Sequence, residues 1–281
     1  MEVKPSRPLK KMKPRENIPL KDYTTFRIGG PARYFWEAKT REELIESIEW
    51  ARKKNAPFFI LGGGSNLLIS DQGYNGLIIR MGGDEIEGEI KADAGVPLKK
   101  LVEFSVEKSL TGLEWAAGIP GTLGGAVWGN ASAFGGKMSD LVGEMEVLKK
   151  DSLEIKKTSR LNSGLIILSV FLSLKKGKKE EIKKEIESHL NYRRQTQPVN
   201  SFSAGCVFKN SPGNPPSSLL IDQAGLKGVR IGGAEVSRKH ANFIINRGEA
   251  KASDVKELIK LVKEKVYNKY NVKLEEEIKY L

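Results

Sequence analysis

Three consecutive glycines, Gly62-Gly63-Gly64, follow the apolar run Phe58 to Leu61 and lead into Ser65-Asn66-Leu67-Leu68-Ile69. A second glycine segment, Gly118-Ile119-Pro120-Gly121-Thr122-Leu123-Gly124-Gly125-Ala126, answers it further along the chain. With no side chains to block approach, the backbone N–H groups of the first segment can turn inward around an anion such as a diphosphate, so it reads as a phosphate cradle. Thr122, Asn130 and Ser132 give the second segment the donors to hold the rest of a long ligand. Two such loops suggest a dinucleotide. One glycine-rich turn alone would say little, because such turns also join strands that bind nothing. Neither common nucleotide signature is present: no Gly-Lys-Ser/Thr follows the glycines, and they do not form a GxGxxG opening a long helix.

A chain of 281 residues, 39% of them hydrophobic, has enough apolar material for one large domain or two or three small ones. The formal charge of +12 suits anionic partners in general, whether nucleic acid, anionic lipid or phosphorylated metabolites. Much of the excess lies in Lys4, Arg7, Lys10, Lys11, Lys13 and Arg15 and in Lys175-Lys176-Gly177-Lys178-Lys179, which read as solvated faces or tails. Cys206 is the only cysteine, which excludes an intrachain disulfide and cysteine-based zinc clusters and points to a reducing compartment. No apolar h-region follows the basic start, and no run approaches the roughly 20 apolar residues of a membrane span. The expected location is cytoplasmic.

In chain order, residues 1–18 read as a basic, poorly ordered segment, and Thr24 to Ala32 as a short strand entering a glycine turn. Thr40 with Glu43 forms a capping box for a helix over 42–53, whose stripe is Leu44, Ile45, Ile48 and Ala51. Strands are expected at Phe58–Leu61, Leu77–Ile79 and Glu89–Ala92, and Pro97 as the first residue of a helix buried through Leu98, Leu101, Val102 and Val106. Three more strands fall at 144–148, 153–157 and 165–174, the last central because it is nearly all apolar. A charged helix from Lys178 to about Arg194, with Ile182, Ile186 and Leu190 along one side, marks a boundary. Beyond it come a helix over 217–224, a strand over 242–246 and an amphipathic helix capped by Ser253.

Chemistry-bearing residues are few. His189 and His240 are the only histidines, too few for a histidine metal cluster, and no metal is expected. Cys206, between Gly205 and the pair Val207-Phe208, reads either as a thiol presented on a tight turn or as a small buried apolar residue. Glu277 sits in the acidic run Glu275-Glu276-Glu277, ordinarily solvated charge. The residues alone leave both open.

The succession Thr25-Phe26-Arg27-Ile28-Gly29-Gly30, Leu61 to Leu68, Gly118 to Ala131, Tyr192-Arg193-Arg194-Gln195-Thr196-Gln197-Pro198, Ala204 to Asn210 and Ile221 to Gly228 resembles the UDP-N-acetylenolpyruvoylglucosamine reductases, flavoenzymes of bacterial cell-wall synthesis. It covers nearly the whole chain in the family's order. The resemblance implies an α+β protein with an FAD-binding domain of the vanillyl-alcohol-oxidase (PCMH) type over 19–177, a connecting helix over 178–198 and a smaller α+β substrate-binding domain over 199–281. Both glycine segments would wrap the cofactor, through Gly62, Gly63, Gly64, Ser65, Asn66, Leu67, Gly118, Gly121, Thr122, Gly125 and Asn130. The implied partners are NADPH and UDP-N-acetylglucosamine enolpyruvate, with no nucleic acid, no membrane and a monomeric enzyme.

In the implied reaction a hydride passes from NADPH through FAD to the enolpyruvyl methylene carbon, and negative charge spreads into the adjacent carboxylate. That intermediate needs cationic or protonated donors and an acid for the neighbouring carbon. Position by position, the family's acid, usually serine, falls on Cys206. Its carboxyl-terminal glutamate falls on Glu277, which must be protonated to donate and so is expected to carry a raised pKa. Asn210, Gln223, Lys227 and His240 fall on the substrate side, with Lys227 assigned a diphosphate or carboxylate. The family's arginine, usually in a Tyr-Arg-x-Ser segment, meets a shortened region here, Lys156 to Ser163. Arg160 is the expected replacement and Lys157 the alternative. The tyrosine-bearing loop of some members is absent, as in a shorter subtype.

Overall fold

The computed structural model describes residues 13–83, 85–88 and 91–281. The chain enters through strand β1 (Arg15–Pro19), which pairs antiparallel with β2 (Pro31–Ala38). Helix α1 (Arg41–Lys53) crosses over to β3 (Phe58–Leu61), then come β4 (Leu67–Leu68) and β5 (Tyr74–Met81). The first sheet has the order β1-β2-β5-β3, with β5 parallel to both β2 and β3. Thr40 caps α1 by accepting from the Glu43 N–H at 3.2 Å, while the Glu43 carboxylate reaches back to the Lys39 N–H at 2.6 Å. Leu44, Ile48 and Ala51 press α1 onto Trp36, Leu77 and Ile79, and Leu148, Ile166 and Leu168 of the next sheet join this cluster.

That second sheet is antiparallel throughout, in the order Ile155–Thr158, Val142–Lys149, Leu165–Leu172, Lys91–Asp93, Ile86–Glu87. Its central strand, Leu165–Leu172, is buried on both faces, which is why it reads as unbroken apolar sequence. Helices α2 (Leu98–Glu107) and α3 (Leu123–Trp128) cover the other face around Trp115. Gly124 permits that packing, because a Cβ there would lie 2.8 Å from the Ala94 Cβ. Helix α4 (Lys179–Thr196) lays Ile186 and Leu190 on the same core, so it is bound to the first domain rather than free between the two.

The remaining residues form a sheet ordered Phe202–Cys206, Phe243–Asn246, Ala234–Val236, Arg230–Ile231, covered by α5 (Ser217–Gln223) and α6 (Ala252–Tyr270). Its core takes in Phe26, Ile28 and Leu68 from the amino-terminal half, so apolar contact is continuous between the domains. Polar bonds add to it: Thr25 Oγ1 donates to the Ser203 carbonyl at 2.7 Å, and Asn246 Nδ2 to the Phe26 carbonyl at 3.1 Å.

Several expectations change. Lys4, Arg7, Lys10 and Lys11, like Glu89 and Ile90 of an expected strand, lie outside the described residues. The basic segment yields to strand by Arg15, because Arg15 and Glu16 pair with Phe35 and Tyr34 of the sheet. Residues Thr24 and Thr25 form a turn after a short 3-10 helix, and the strand begins only at Pro31. Pro97 is the N-cap of α2, not its first residue. Ser253 does not cap α6. Lys251 is the N-cap, its N–H held by Asp254 at 3.0 Å, and the first free N–H groups go to Asp71, whose carboxylate accepts from Ala252 at 2.6 Å and from Ser253 at 3.0 Å.

Burial works to raise the Asp71 pKa, but these two bonds and the charge of Lys251 outweigh it and hold the carboxyl below its usual value. A depressed native pKa gives stability that is present above the unfolded-state pKa and lost as pH falls through the native one. Asp71→Ala is expected to cost about 1–2 kcal/mol at pH 7. Chemical denaturation at several pH values checks this, and the gap between wild type and variant should close as the solution is acidified below the usual aspartate range.

Candidate active site

The two glycine segments touch. A Cβ on Gly62 would lie 2.8 Å from Thr122 Oγ1, and one on Gly63 would lie 2.5 Å from the Gly121 Cα. Gly121, at φ +121°, faces the Ser65 hydroxyl at 2.8 Å from a built Cβ, and Gly64, at φ +61°, packs on the Tyr23 carbonyl. The glycines therefore do more than expose backbone: they let two loops meet as one continuous main-chain surface. Among the described residues the N–H groups of Gly63 and Ser65 have no protein acceptor, as a surface meant for an anionic ligand requires. The donor set and the close backbone fit a flavin dinucleotide. The Asn130 side-chain carbonyl accepts from the Ser139 N–H at 2.9 Å, which leaves its amide as the group that could reach a ligand.

The carboxyl-terminal residues bind this loop to the second domain. Glu277 N–H donates to the Val207 carbonyl at 2.8 Å, and Lys209 N–H to that of Glu275 at 2.8 Å. On the other side Lys279 N–H donates to the Asn66 carbonyl at 3.0 Å, Asn66 Nδ2 donates to the Glu277 carbonyl at 3.3 Å, and Lys279–Tyr280 runs parallel to β4. Glu277 is thus fixed between the glycine loop and Cys206.

Cys206 ends its strand beyond Gly205, which adopts φ +77°. Burial, then the neighbouring Glu277 charge, pushes the thiol up to about 12 against the opposing pull of Arg193. Glu277 is raised as well, by the protein packed around it, with Lys209 and Lys279 working the other way. Two acids whose charged forms are disfavoured therefore stand on segments hydrogen-bonded to each other.

The residues expected on the substrate side form a second group. Asn210 Oδ1 accepts from the Ser217 N–H at 2.9 Å and so starts α5. Lys227 is ion-paired with Asp222, and the Gln223 carbonyl accepts from Lys269 Nζ at 2.6 Å. Burial and then the charge of Lys227 depress the His240 pKa; its Nδ1 accepts from the Asn242 N–H at 3.3 Å, which leaves the ring proton on Nε2. Arg160 does not join these groups. It is exposed in the turn after Ile155–Thr158, its N–H bonded to Thr158 Oγ1, and Lys157 beside it pairs with Glu144 at 3.2 Å. The cation whose charge reaches Cys206 is Arg193, buried on α4. Helical spacing from Ile182, Ile186 and Leu190 puts Arg193 on the apolar face, a signal present in the sequence but masked by the charge around it. Asn242 was also missed: its side chain pairs with both backbone groups of Phe208 at 2.9 and 2.8 Å, holding the strand end after Cys206. No group of three or more His, Cys, Asp or Glu among the described residues could hold a metal ion.

Known proteins agree with this geometry. Residues 32–156 match the FAD binding domain family, and residues 197–281 match the family described as UDP-N-acetylenolpyruvoylglucosamine reductase, C-terminal domain. A UDP-N-acetylenolpyruvoylglucosamine reductase of Synechococcus sp. is 42% identical over 94% of this chain and 90% of its own, and one of Moorella thermoacetica is 45% identical over 93% and 91%. The chain belongs to the UDP-N-acetylenolpyruvoylglucosamine reductase family. The crystal structure of the Thermus caldophilus member superposes with a TM-score of 0.83 at 38% identity, covering 95% of this chain and 99% of that one. The protein is accordingly an FAD-dependent oxidoreductase of α+β class, with an FAD-binding domain followed by the smaller domain characteristic of the reductase family. Among the described residues no helix is long and apolar enough to cross a membrane.

Gly63→Ala should abolish stable FAD retention, because the new Cβ meets main chain that cannot rotate away. Gly88→Ala, where a Cβ meets nothing, should keep FAD despite a strain of about 1 kcal/mol at its φ of +60°. Flavin absorbance after gel filtration distinguishes the two.

Proposed function

We propose that the protein reduces UDP-N-acetylglucosamine enolpyruvate to UDP-N-acetylmuramate with NADPH and FAD, as a step in peptidoglycan precursor synthesis. The observation that carries this reading is the placement of two acids of raised pKa, Cys206 and Glu277, on segments hydrogen-bonded to each other beside the paired glycine loops. When bound, FAD supplies the transfer of hydride from NADPH to the enolpyruvyl methylene carbon.

Gly62, Gly63, Gly64, Ser65, Asn66 and Leu67, with Gly118, Gly121, Thr122 and Gly125, would hold the cofactor, and Asn130 would contribute through its free amide. Cys206 would give its thiol proton to the carbon next to the carboxylate, a task that needs a neutral thiol. In its protonated form, which burial favours, Glu277 would donate a hydrogen bond to the charge growing on the carboxylate, where a carboxylate anion would repel it. Lys227 and the Nε2–H of His240 would meet the diphosphate and nucleotide, with Asn210 and Gln223 fixing the start and end of α5 beside them. Arg160, the cation implied by family resemblance, would have to swing in from its exposed turn to take part. The enzyme would act as a monomer on small molecules.

An absorbance spectrum of the purified protein, followed by anaerobic NADPH and then the enolpyruvyl substrate, tests this directly. Bleaching of the flavin by NADPH and its return with substrate are expected; bleaching without return would overturn the substrate. Cys206→Ala should keep flavin and its reduction by NADPH but slow the return about 10²–10⁴-fold, while Cys206→Ser, which restores a hydroxyl donor, should recover most of it. A wild-type return rate in Cys206→Ala would move the proton to another group.

A further inference from the structure

Arg193 lies at the end of the apolar stripe of α4 and is only 9% exposed. Its Nη1 donates to Gln197 Oε1 at 3.3 Å, and its guanidinium lies 5.1 Å from the centre of the Phe134 ring. Phe134 is itself stacked on His189 at 4.0 Å, so the plane beneath the guanidinium is held in place. Nε and Nη2 are buried and have no acceptor among the described residues. These two nitrogens belong to one edge of the guanidinium, and that edge presents two parallel N–H groups at the spacing of two carboxylate oxygens. Buried donors on a charged group are costly to leave unmatched, so an oriented, unmatched edge points to a ligand.

The neighbours say where that ligand sits. The Arg193 stem packs on Gly118 of the second glycine segment, where an added Cβ would lie 3.0 Å from Cδ and 3.5 Å from Nε. Its charge is felt at Cys206. Arg193 thus lies beside the second glycine segment and within reach of Cys206 for its charge, where the reductase reading puts the enolpyruvyl group. Building on that reading, we infer that Arg193 grips the substrate carboxylate through Nε–H and Nη2–H, taking the part that resemblance assigned to Arg160. A planar guanidinium away from bulk water stabilises charge spreading into a carboxylate more than a flexible ammonium can.

The test uses the FAD-loaded protein, its variants Arg193→Lys, Arg193→Ala and Arg160→Ala, and two ligands. UDP-N-acetylglucosamine enolpyruvate carries the carboxylate; UDP-N-acetylglucosamine carries only the diphosphate. Calorimetric titration without NADPH reads binding, and anaerobic reoxidation of the reduced enzyme reads the chemical step. Arg193→Lys should weaken the enolpyruvyl ligand at least about tenfold while leaving UDP-N-acetylglucosamine unchanged, and slow reoxidation about 10²-fold or more. Added guanidinium should restore part of the rate of Arg193→Ala. Equal loss of both ligands would assign Arg193 to the diphosphate and overturn the inference. So would wild-type binding and rate in the Arg193 variants, or loss of the ligand discrimination in Arg160→Ala while Arg193→Lys keeps it. If Arg193→Ala does not retain FAD, the two-ligand comparison on Arg193→Lys decides. Reoxidation of the wild type by the enolpyruvyl substrate checks the underlying reductase reading separately.

Discussion

The carboxyl-terminal strand end holds the site together. Residues from three distant parts of the chain meet there: Lys279 and Glu277 bond to Asn66 on one side, and Glu277 bonds to Val207 on the other. These are main-chain contacts or contacts to main chain, and they depend on chain direction and register rather than on side-chain choice. Ser70 N–H closes the arrangement on the Leu281 carbonyl at 2.7 Å. The glycine loop, Cys206 and Glu277 are thereby placed by one short ladder, whose apolar support is Leu68, Phe208 and Ile278.

The electrostatics follow from that convergence. Bringing Cys206 and Glu277 together in a crowded site disfavours charge on each, first through lost hydration and then, for the thiol, through the negative charge its neighbour would carry. Lys209 and Lys279 flank Glu277 and limit the effect without reversing it. Arg193 is then the buried cation facing the thiol, and its own pKa is lowered by the same loss of hydration. A site built this way disfavours negative charge on its own acids, as the proposed reaction, whose intermediate would bring negative charge with it, requires.

Much of this was legible from the residues. The cap of α1, the stripe Leu44-Ile48-Ala51 and the central strand over 165–172 followed from short-range patterning, which the packing preserved. What escaped was set by distant partners. Asp71 takes the first free N–H groups of α6 from the other domain, a partner no local pattern around Ser253 can name. Arg15 and Glu16 look like a disordered basic tail until Tyr34 and Phe35 are there to pair with them. The glycines were read for the ligand they expose, whereas Gly63 and Gly121 are needed first because two backbones cross with no room for a Cβ. Family resemblance pointed to Cys206 and Glu277 by position and to the raised pKa of Glu277, but not to the distant segments that bury them.

The contrast between Arg160 and Arg193 shows why position alone falls short for a charged residue. A guanidinium acts through two things a motif does not encode: how much water surrounds it and whether its donors are already engaged. Arg160 lies in a shortened turn where solvent screens its charge. Arg193 lies on the helix face that Ile186 and Leu190 bury against the first domain, so the packing that binds α4 to the FAD domain also removes water from the guanidinium. Moving α4 outward by even part of a turn would rehydrate that charge and weaken its effect on Cys206. The apolar contacts of α4 therefore belong to the chemistry of the site as much as the polar groups do, and they explain why a helix so charged over most of its surface keeps one narrow apolar stripe.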